Sequence, residues 1–113
     1  MSENDAPSGD DASPSVGSGV PSGAISKERL ITNKRGLHAR ASAKFVQAVE
    51  RFDAQVWVTR GGETVGGTSI MGLMMLAAGP GTTITVSAAG SDAEAALAAI
   101  TELVESKFNE EGT

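Results

Sequence analysis

Two periods of apolar residues follow one another along the chain and predict alternating helices and strands. Apolar side chains three and four residues apart predict a helix over residues 39–51 with one apolar face. That face consists of Ala41, Phe45, Ala48, Val49 and Phe52. A spacing of two residues predicts a strand over residues 55–60, with Val56 and Val58 on one face and Trp57 on the other.

Turn residues separate the shorter elements. A first strand over residues 28–33 precedes a basic turn that ends in glycine. The Gly61-Gly62 pair predicts a hairpin to an edge strand over residues 63–65. A brief apolar helix follows over residues 70–77 and ends at a Gly-Pro-Gly turn.

The last strand and the last helix complete the pattern. Ile84, Val86 and Ala88 alternate with polar residues in a strand over residues 82–88. The run Ser91-Asp92-Ala93-Glu94 has the form of a capping box and predicts the start of a long helix. The apolar face of that helix consists of Ala93, Leu97, Ile100, Val104 and Phe108.

The predicted order of elements is βαββαβα, with no internal repeat. Because each helix has one apolar face and the strands are half-buried, three helices must cover one face of a four-stranded antiparallel sheet. The sequence therefore predicts an α+β fold, an open-faced β-sandwich.

Composition limits the classes of function. The chain has 113 residues, 40% of them hydrophobic, which suits one domain with a modest core. It has no cysteine and a single histidine, so disulfides, thiolate catalysis and a zinc site are not expected. No apolar run approaches the roughly 20 residues of a membrane helix, and no signal-peptide pattern is present. We expect a cytoplasmic protein that binds neither a membrane nor a metal.

Residues 1–24 differ from the rest of the chain. They are largely Ser, Gly, Pro, Asp and Ala, with four acids and no Lys or Arg. Such a segment buries too little apolar surface to offset its ordering entropy, so we predict a disordered acidic tail ahead of one domain over residues 25–113. A passive extension or a wrongly assigned start fits this composition better than an intramolecular competitor for basic surface.

Positive charge is concentrated in one part of the chain. Residues 25–60 hold eight Lys or Arg against three acids, whereas residues 61–113 hold one Lys against seven acids. Four cations lie within six residues of the histidine and form a basic rim: Lys34, Arg35, Arg40 and Lys44. This rim would steer phosphorylated or acidic partner surfaces. A net charge of -5 and an aromatic content of 4% argue against nucleic acid as a partner.

His38 stands where the first strand gives way to the first helix and is the predicted N-cap of that helix. The first-turn N–H groups of a helix lack intrahelical partners and carry the positive end of its dipole, so an anion is stabilised there. A neutral imidazole is also a nucleophile near neutral pH. If His38 accepted a phosphoryl group, the N–H groups of Ala39 and Arg40 would hold its oxygens, and the Arg40 guanidinium would pair with them as a planar fork.

Two other interpretations of His38 stay open on these grounds. A lone histidine near a helix start is commonly only a polar cap. It could also be the general base of a small hydrolase or ligand-binding domain, although the motif offers no Asp, Glu, Ser or Cys partner beside it.

Residues 36–40, which read Gly-Leu-His-Ala-Arg, resemble the active-site signature of the HPr family of phosphocarriers. These proteins belong to the phosphoenolpyruvate-dependent phosphotransferase system, and the resemblance extends from about Arg29 to Asn109. Two further runs are most similar to the nitrogen-regulatory branch: Ile31-Thr32-Asn33-Lys34 and Phe52-Asp53-Ala54. Ala41 stands where most members have proline, so we expect a slightly looser helix start and unchanged chemistry.

The resemblance implies the same open-faced sandwich and a phosphoryl shuttle rather than an enzyme. His38 would accept a phosphoryl group from a phosphohistidine on enzyme I and pass it to a histidine on an enzyme IIA component, with Arg40 stabilising the phosphoryl oxygens. Since the partner protein completes each transfer, no cofactor is expected, and the carrier is expected to be a monomer. Whether the pathway serves sugar uptake or nitrogen and potassium regulation stays open.

The short helix after Ser69 is too apolar to be buried all round. Since about half of its circumference must face solvent, some of its large side chains are expected on the surface: Ile70, Met71, Leu73, Met74, Met75 and Leu76. Ser69 is either only the N-cap or, as the resemblance implies, the serine that an HPr kinase/phosphorylase modifies. The resemblance also places Ile70, Met71 and Met74 in the docking surface, which Lys44 is expected to join.

The main alternative to a shuttle is a regulatory module that uses phosphorylation only as a signal. Such a module would bind its target through the methionine-rich helix and would need no onward transfer of the phosphoryl group. Single-turnover transfer to an enzyme IIA protein distinguishes the two functions.

Overall fold

Four antiparallel strands form a single sheet in the computed structural model, which describes residues 20–21 and 23–110. In chain order the strands are β1 (Ile25–Leu30), β2 (Gln55–Arg60), β3 (Glu63–Gly66) and β4 (Thr83–Ala89). Their spatial order is β1-β4-β2-β3, so β4 pairs with β1 on one side and with β2 on the other. The strands β2 and β3 form the predicted hairpin.

Three helices connect and follow the strands: α1 (Ala39–Glu50), α2 (Ile70–Met75) and α3 (Ala93–Glu105). Helix α3 packs on β1 and β4, and α1 packs on both other helices. The strand side chains that face the helices are fully shielded from solvent at Val58, Ile84 and Ala88. The predicted order of elements and the predicted open-faced fold are therefore confirmed.

The predicted apolar faces of α1 and α3 form the core together with the inner face of the sheet. In α1, Ala41, Phe45 and Val49 are buried, whereas Ala48 is only partly buried, as is Phe52 just beyond the end of the helix. Every residue predicted for the second face is buried: Ala93, Leu97, Ile100, Val104 and Phe108. The ring of Phe108 enters the core from the short turn Lys107–Asn109, after α3 has ended.

The first strand lies three residues earlier than predicted. Its register with β4 begins at Ile25 and ends at Leu30, so the predicted bounds of 28–33 are wrong. Ile31 leaves the ladder but remains fully buried, and its N–H donates to the Thr82 carbonyl at 2.9 Å. Ile31 is apolar and buried although it lies beyond the end of β1, so the sequence pattern wrongly placed it inside the strand.

Helix α2 ends two residues earlier than predicted. Ala77 has a left-handed backbone (φ 54°), which stops the helix, and its N–H donates to Met74 O at 3.1 Å. Helix α1 ends one residue earlier than predicted, and strand β4 begins and ends one residue later than predicted.

The capping box predicted at the start of α3 is wrong. Asp92 is the N-cap residue, but its side chain makes no capping hydrogen bond. Instead, Oδ2 of Asp92 accepts a hydrogen bond from Asp53 N–H at 2.8 Å, and Oγ of Ser91 donates to the Asp53 carboxylate at 3.0 Å. Both side chains therefore hold the loop between α1 and β2, so a tertiary contact has replaced the local cap.

The predicted disordered tail, residues 1–24, lies outside the described residues except at positions 20, 21, 23 and 24, and it stays a prediction. At its described end, the Ala24 N–H donates to Pro21 O at 3.1 Å just before β1 begins. In the part of the chain that the structure describes, no helix is long and apolar enough to cross a membrane.

Candidate functional site

His38 begins helix α1. Its carbonyl accepts a hydrogen bond from Ser42 N–H at 2.8 Å, and its own backbone is extended (φ -76°, ψ -178°). The ring atom Nδ1 accepts a hydrogen bond from Arg40 N–H at 3.3 Å. This is the geometry of a side-chain N-cap, so the predicted capping role of His38 is confirmed.

The loop before His38 is held by a close approach of two backbone segments. Gly36 has φ +63°, and a Cβ atom at this position would overlap the carbonyl oxygen of Ala78. Leu37 donates its N–H to the same carbonyl at 3.0 Å and buries its side chain. Glycine is required because it accepts both the left-handed backbone and the contact. Backbone contacts therefore fix where the imidazole can lie.

A carboxylate from the far end of the chain meets the other nitrogen of the ring. Nε2 of His38 is hydrogen-bonded to Oε2 of Glu110, 72 positions later in the sequence. The second oxygen, Oε1, accepts a hydrogen bond from Asn33 Nδ2 at 3.2 Å, and the same amide donates to Gly36 O at 2.8 Å. The side chains of His38 and Glu110 are 16% and 9% exposed, so the pair is largely shielded from water.

His38 has an acidic partner from outside its motif. The motif contains none beside the histidine, but tertiary structure supplies Glu110. The lack of an acidic residue in the motif therefore does not exclude a general base, because a carboxylate that orients an imidazole is common to general bases and to activated nucleophiles. The function has to be decided by what lies around the other ring nitrogen.

The hydrogen-bond partners assign the ring proton. Nδ1 of His38 receives an N–H and therefore carries no proton, whereas Nε2 faces a carboxylate and carries the proton of the neutral ring. The nitrogen with an available lone pair is thus Nδ1, at the N-terminus of α1.

The pKa of Glu110 lies below its ordinary value. Burial, the largest single influence, raises it, but hydrogen bonds from His38 and Asn33 and the positive charges of His38 and Lys44 together outweigh burial. Glu110 is therefore ionised near neutral pH. Because the native pKa is lowered, this carboxylate stabilises the fold above its ordinary pKa of 4.5, and that contribution is lost as the pH falls through the lower native value.

Several donors close to His38 in the chain have exposed side chains or unpaired N–H groups. The side chains of Lys34, Arg35 and Arg40 are exposed, and within the described residues the Arg40 guanidinium has no hydrogen-bond or ion-pair partner. The backbone N–H groups of Ala39 and Ala41 likewise have no acceptor there, while the Arg40 N–H is shared with Nδ1. An anion bound at Nδ1 would meet these donors and the positive end of the helix dipole.

Lys44 differs from the other cations of the basic rim. It is partly buried, and its Nζ donates to the carbonyl of Phe108, which ties α1 to the segment after α3. Its predicted part in partner docking stays a prediction.

Helix α2 presents an apolar surface beside α1, against which it packs. Ser69 is its N-cap, because Oγ accepts a hydrogen bond from Gly72 N–H at 2.9 Å. Leu73 and Leu76 are buried. The four other large side chains are exposed and form a surface that we call the methionine patch: Ile70 (40%), Met71 (70%), Met74 (40%) and Met75 (73%). The predicted exposure of part of this helix is confirmed.

Sequence reasoning missed two residues of the site, Asn33 and Glu110. Asn33 is fully buried, and its Oδ1 has no hydrogen-bond partner among the described residues. In the sequence it stands only as one residue of the Ile31-Thr32-Asn33-Lys34 run, although a buried amide in a loop often holds neighbouring backbone. Glu110 carried no local signal at all, since its contacts with His38 and Asn33 span 72 and 77 positions.

Comparison with known proteins identifies the family. The family model described as "PTS HPr component phosphorylation site" matches residues 25–106. A phosphocarrier protein HPr of Neisseria meningitidis is 51% identical over 80 residues, which cover 71% of this chain and 90% of that protein. The chain belongs to the HPr family of phosphocarriers.

Two further relatives agree with this family. The crystal structure of HPr-C-His from Thermoanaerobacter tengcongensis matches with a TM-score of 0.74 and 44% identity, over 77% of this chain and 98% of that chain. A phosphocarrier protein NPr of Shewanella violacea is 43% identical over 86 residues, 76% of this chain and 94% of that protein. This chain, as a member of the HPr family, is a phosphotransferase-system component that relays a phosphoryl group on histidine. Relatives named HPr and NPr both occur, so the nitrogen-regulatory branch stays a proposal.

We expect Ala41→Pro to leave the free energy of unfolding unchanged or to raise it by up to about 1 kcal/mol. The N–H of Ala41 has no acceptor among the described residues, and proline is tolerated in the first turn of a helix. The matched variant Ala43→Pro falls where helical N–H groups are paired and should cost about 3 kcal/mol. Urea denaturation of both variants measures the difference; equal losses would show that the Ala41 N–H is needed.

Proposed function

We propose that His38 accepts a phosphoryl group at Nδ1 from a phosphohistidine on enzyme I and passes it to a histidine on an enzyme IIA component. One observation supports this above all: the single histidine of the chain presents Nδ1 to the first turn of α1, while Glu110 holds Nε2. The nucleophilic nitrogen and the positive end of a helix dipole therefore lie together.

The transfer requires no base on this protein. Nδ1 has an available lone pair in the tautomer that the hydrogen-bond partners assign, and the Nδ1–P bond forms as the bond from phosphorus to the donor imidazole breaks. The donor nitrogen keeps that electron pair, and Nε2 of His38 keeps its proton. The phosphorylated ring of His38 is then cationic, with the carboxylate of Glu110 beside it. Onward transfer to enzyme IIA reverses the same steps.

The phosphoryl oxygens would be held by donors that are already in place. The Arg40 N–H, which now donates to Nδ1, can donate to a phosphoryl oxygen instead. The neighbouring Ala39 N–H has no acceptor among the described residues and is available for a second oxygen. The exposed guanidinium of Arg40 supplies a further planar pair of donors. Phosphoryl transfer depends chiefly on alignment and charge stabilisation, so the carrier needs neither a metal nor a cofactor.

Docking of both partners is proposed at the methionine patch, through Ile70, Met71 and Met74, with Lys44 at its basic edge. An exposed apolar surface near exposed cations suits a partner with an apolar centre and acidic surroundings. Since the partner completes the geometry of transfer, the protein is a carrier and not an enzyme. We place it in the cytoplasm, as a monomer, in the nitrogen-regulatory branch.

Labelling with phosphoenolpyruvate and enzyme I tests the acceptor. The wild-type protein should take up a label that is lost in acid and kept in alkali, as phosphohistidine is. His38→Ala should take up none, although it should stay folded because losing an N-cap costs only about 1 kcal/mol. Ser69→Ala is the matched control and should be labelled normally. Label on His38→Ala would refute His38 as the acceptor. If the label on the wild-type protein cannot pass to any enzyme IIA in a single turnover, the protein is a regulatory module and not a shuttle.

Arg40→Ala should slow transfer in both directions, and Arg40→Lys should recover only part of the rate. A lysine restores the charge but cannot form two parallel hydrogen bonds to phosphoryl oxygens. Rapid-quench measurement of both half-reactions gives the rates. If lysine and arginine transfer equally fast, the charge alone is sufficient and the bidentate pairing is withdrawn.

Ser69 is proposed as a regulatory site that an HPr kinase/phosphorylase modifies. Its hydroxyl caps α2 next to exposed Ile70 and Met71, so a phosphate there would add charge at the edge of the docking surface. Negative charge at a helix N-terminus is favourable by about 0.3–1 kcal/mol, so α2 should stay folded. The cost falls on docking, because a partner would have to desolvate that charge against apolar groups.

Ser69→Asp, an imperfect mimic of phosphoserine, should therefore weaken binding to enzyme I by about tenfold or more without lowering the melting temperature. Ala95→Asp is the matched control, because it places the same charge in the exposed first turn of α3, away from the methionine patch. Titration calorimetry measures both affinities. Unchanged binding for Ser69→Asp and for protein phosphorylated on Ser69 would reduce this serine to a cap.

A further inference from the structure

The segment after α3 has an uncommon backbone. Lys107, Phe108 and Asn109 all have positive φ, at 58°, 57° and 55°, although none of them is glycine. Left-handed backbone is unfavourable for residues with a Cβ atom, and three in succession are rare. Such conformations persist only where surrounding contacts enforce them, and they concentrate at functional sites.

Contacts with the rest of the fold hold this left-handed turn. The ring of Phe108 is completely buried, and the carbonyl of the same residue accepts a hydrogen bond from Lys44 Nζ on α1. Within the segment, Glu110 N–H donates to Lys107 O at 3.1 Å, and Asn109 N–H donates to Ser106 O at 3.0 Å. The chain is thereby brought across the end of α1 instead of leaving the domain.

The turn Lys107–Asn109 places the carboxylate of Glu110 beside the imidazole of His38. Oε2 of Glu110 meets His38 Nε2, and Oε1 meets the buried amide of Asn33. Among the described residues, the charged groups that face Glu110 are His38 and Lys44, both cationic when protonated, and together with the hydrogen bonds they keep it ionised near neutral pH. Asn33 also holds the loop before His38 through Gly36 O, so the carboxylate and the loop share one support.

We infer that Glu110 is a positioning residue for phosphoryl transfer: it keeps the proton of neutral His38 on Nε2 and so presents the lone pair of Nδ1 to the donor. This inference rests on the proposed function of His38. A neutral imidazole exists as two tautomers, and only the one with its proton on Nε2 has a nucleophilic Nδ1. The carboxylate also stabilises the positive charge that the ring gains when the Nδ1–P bond forms.

A purely structural role for Glu110 is the alternative. In that case the carboxylate would only tie the end of the chain to the domain, and its removal would lower stability without changing the ring. The two roles differ in one property of the molecule, the tautomer of His38. Because the chain has a single histidine, its two ring nitrogens give one set of ¹⁵N signals that reports this tautomer directly.

The test compares Glu110→Gln with Glu105→Gln, which removes the same charge from an exposed position at the end of α3. For each variant, ¹⁵N NMR at alkaline pH gives the tautomer of neutral His38, and rapid quench gives the rate of phosphorylation by enzyme I. Thermal melts set a temperature at which all variants are folded, so that a loss of stability cannot imitate a loss of rate.

Glu110→Gln should show a mixture of tautomers and a rate lowered by roughly tenfold, the scale on which a charge-assisted hydrogen bond differs from a neutral one. Glu105→Gln should match the wild-type protein in both measurements. A slower rate with an unchanged tautomer, or a mixed tautomer with an unchanged rate, would overturn the inference. So would wild-type values of both.

Glu110→Asp provides a second test that keeps the charge. The shorter side chain should not reach Nε2 while Phe108 stays in the core, so this variant should also lose the single tautomer; wild-type behaviour would show that the reach of Glu110 is not needed. Failure of the inference is distinguishable from failure of the proposed function. If enzyme I does not label the wild-type protein, the proposed function fails, whereas normal labelling of Glu110→Gln removes only the role of Glu110.

Discussion

The site depends on one imidazole ring whose two nitrogens have different hydrogen-bond partners. Nδ1 of His38 accepts the Arg40 N–H that begins α1, and Nε2 is held by Glu110. The hydrogen bond at Nδ1 satisfies a helix terminus that would otherwise lack an acceptor. In the proposed transfer, a phosphoryl group on Nδ1 would displace that bond but bring oxygens that accept the same donor. The helix start would then be satisfied in both states, so the proposed transfer would require no refolding.

The turn that positions Glu110 beside the imidazole has a strained backbone. Left-handed backbone costs roughly 1–2 kcal/mol for each of three residues, so the turn after α3 costs about 3–6 kcal/mol. Burying a phenylalanine side chain contributes about 1.5–3 kcal/mol, and a hydrogen bond from a charged donor about 1.5–3 kcal/mol. Phe108 and the bond from Lys44 therefore offset the strain approximately, without a large excess. The position of Glu110 thus depends on the packing of the core.

The exposed surface near the site follows from the shortness of α2. Six residues form less than two turns, and only Leu73 among them reaches the core. The other large side chains stay in solvent because no further helix or strand of residues 20–21 and 23–110 covers them, and they form the methionine patch. Flexible methionines adapt to differently shaped surfaces, which suits a carrier that must meet a donor and an acceptor in turn.

Local sequence accounts for the features that arise within a few residues: the alternation of helices and strands, the N-caps at His38 and Ser69, and the exposed methionines. Contacts between residues far apart in the chain depend on how the elements pack. Glu110 reaches His38, Ser91 and Asp92 hold Asp53 instead of capping α3, and β1 starts at Ile25 because its register with β4 sets its bounds. Periodicity and capping act over one or two turns, whereas these contacts form only after the core has packed, and no local pattern encodes them.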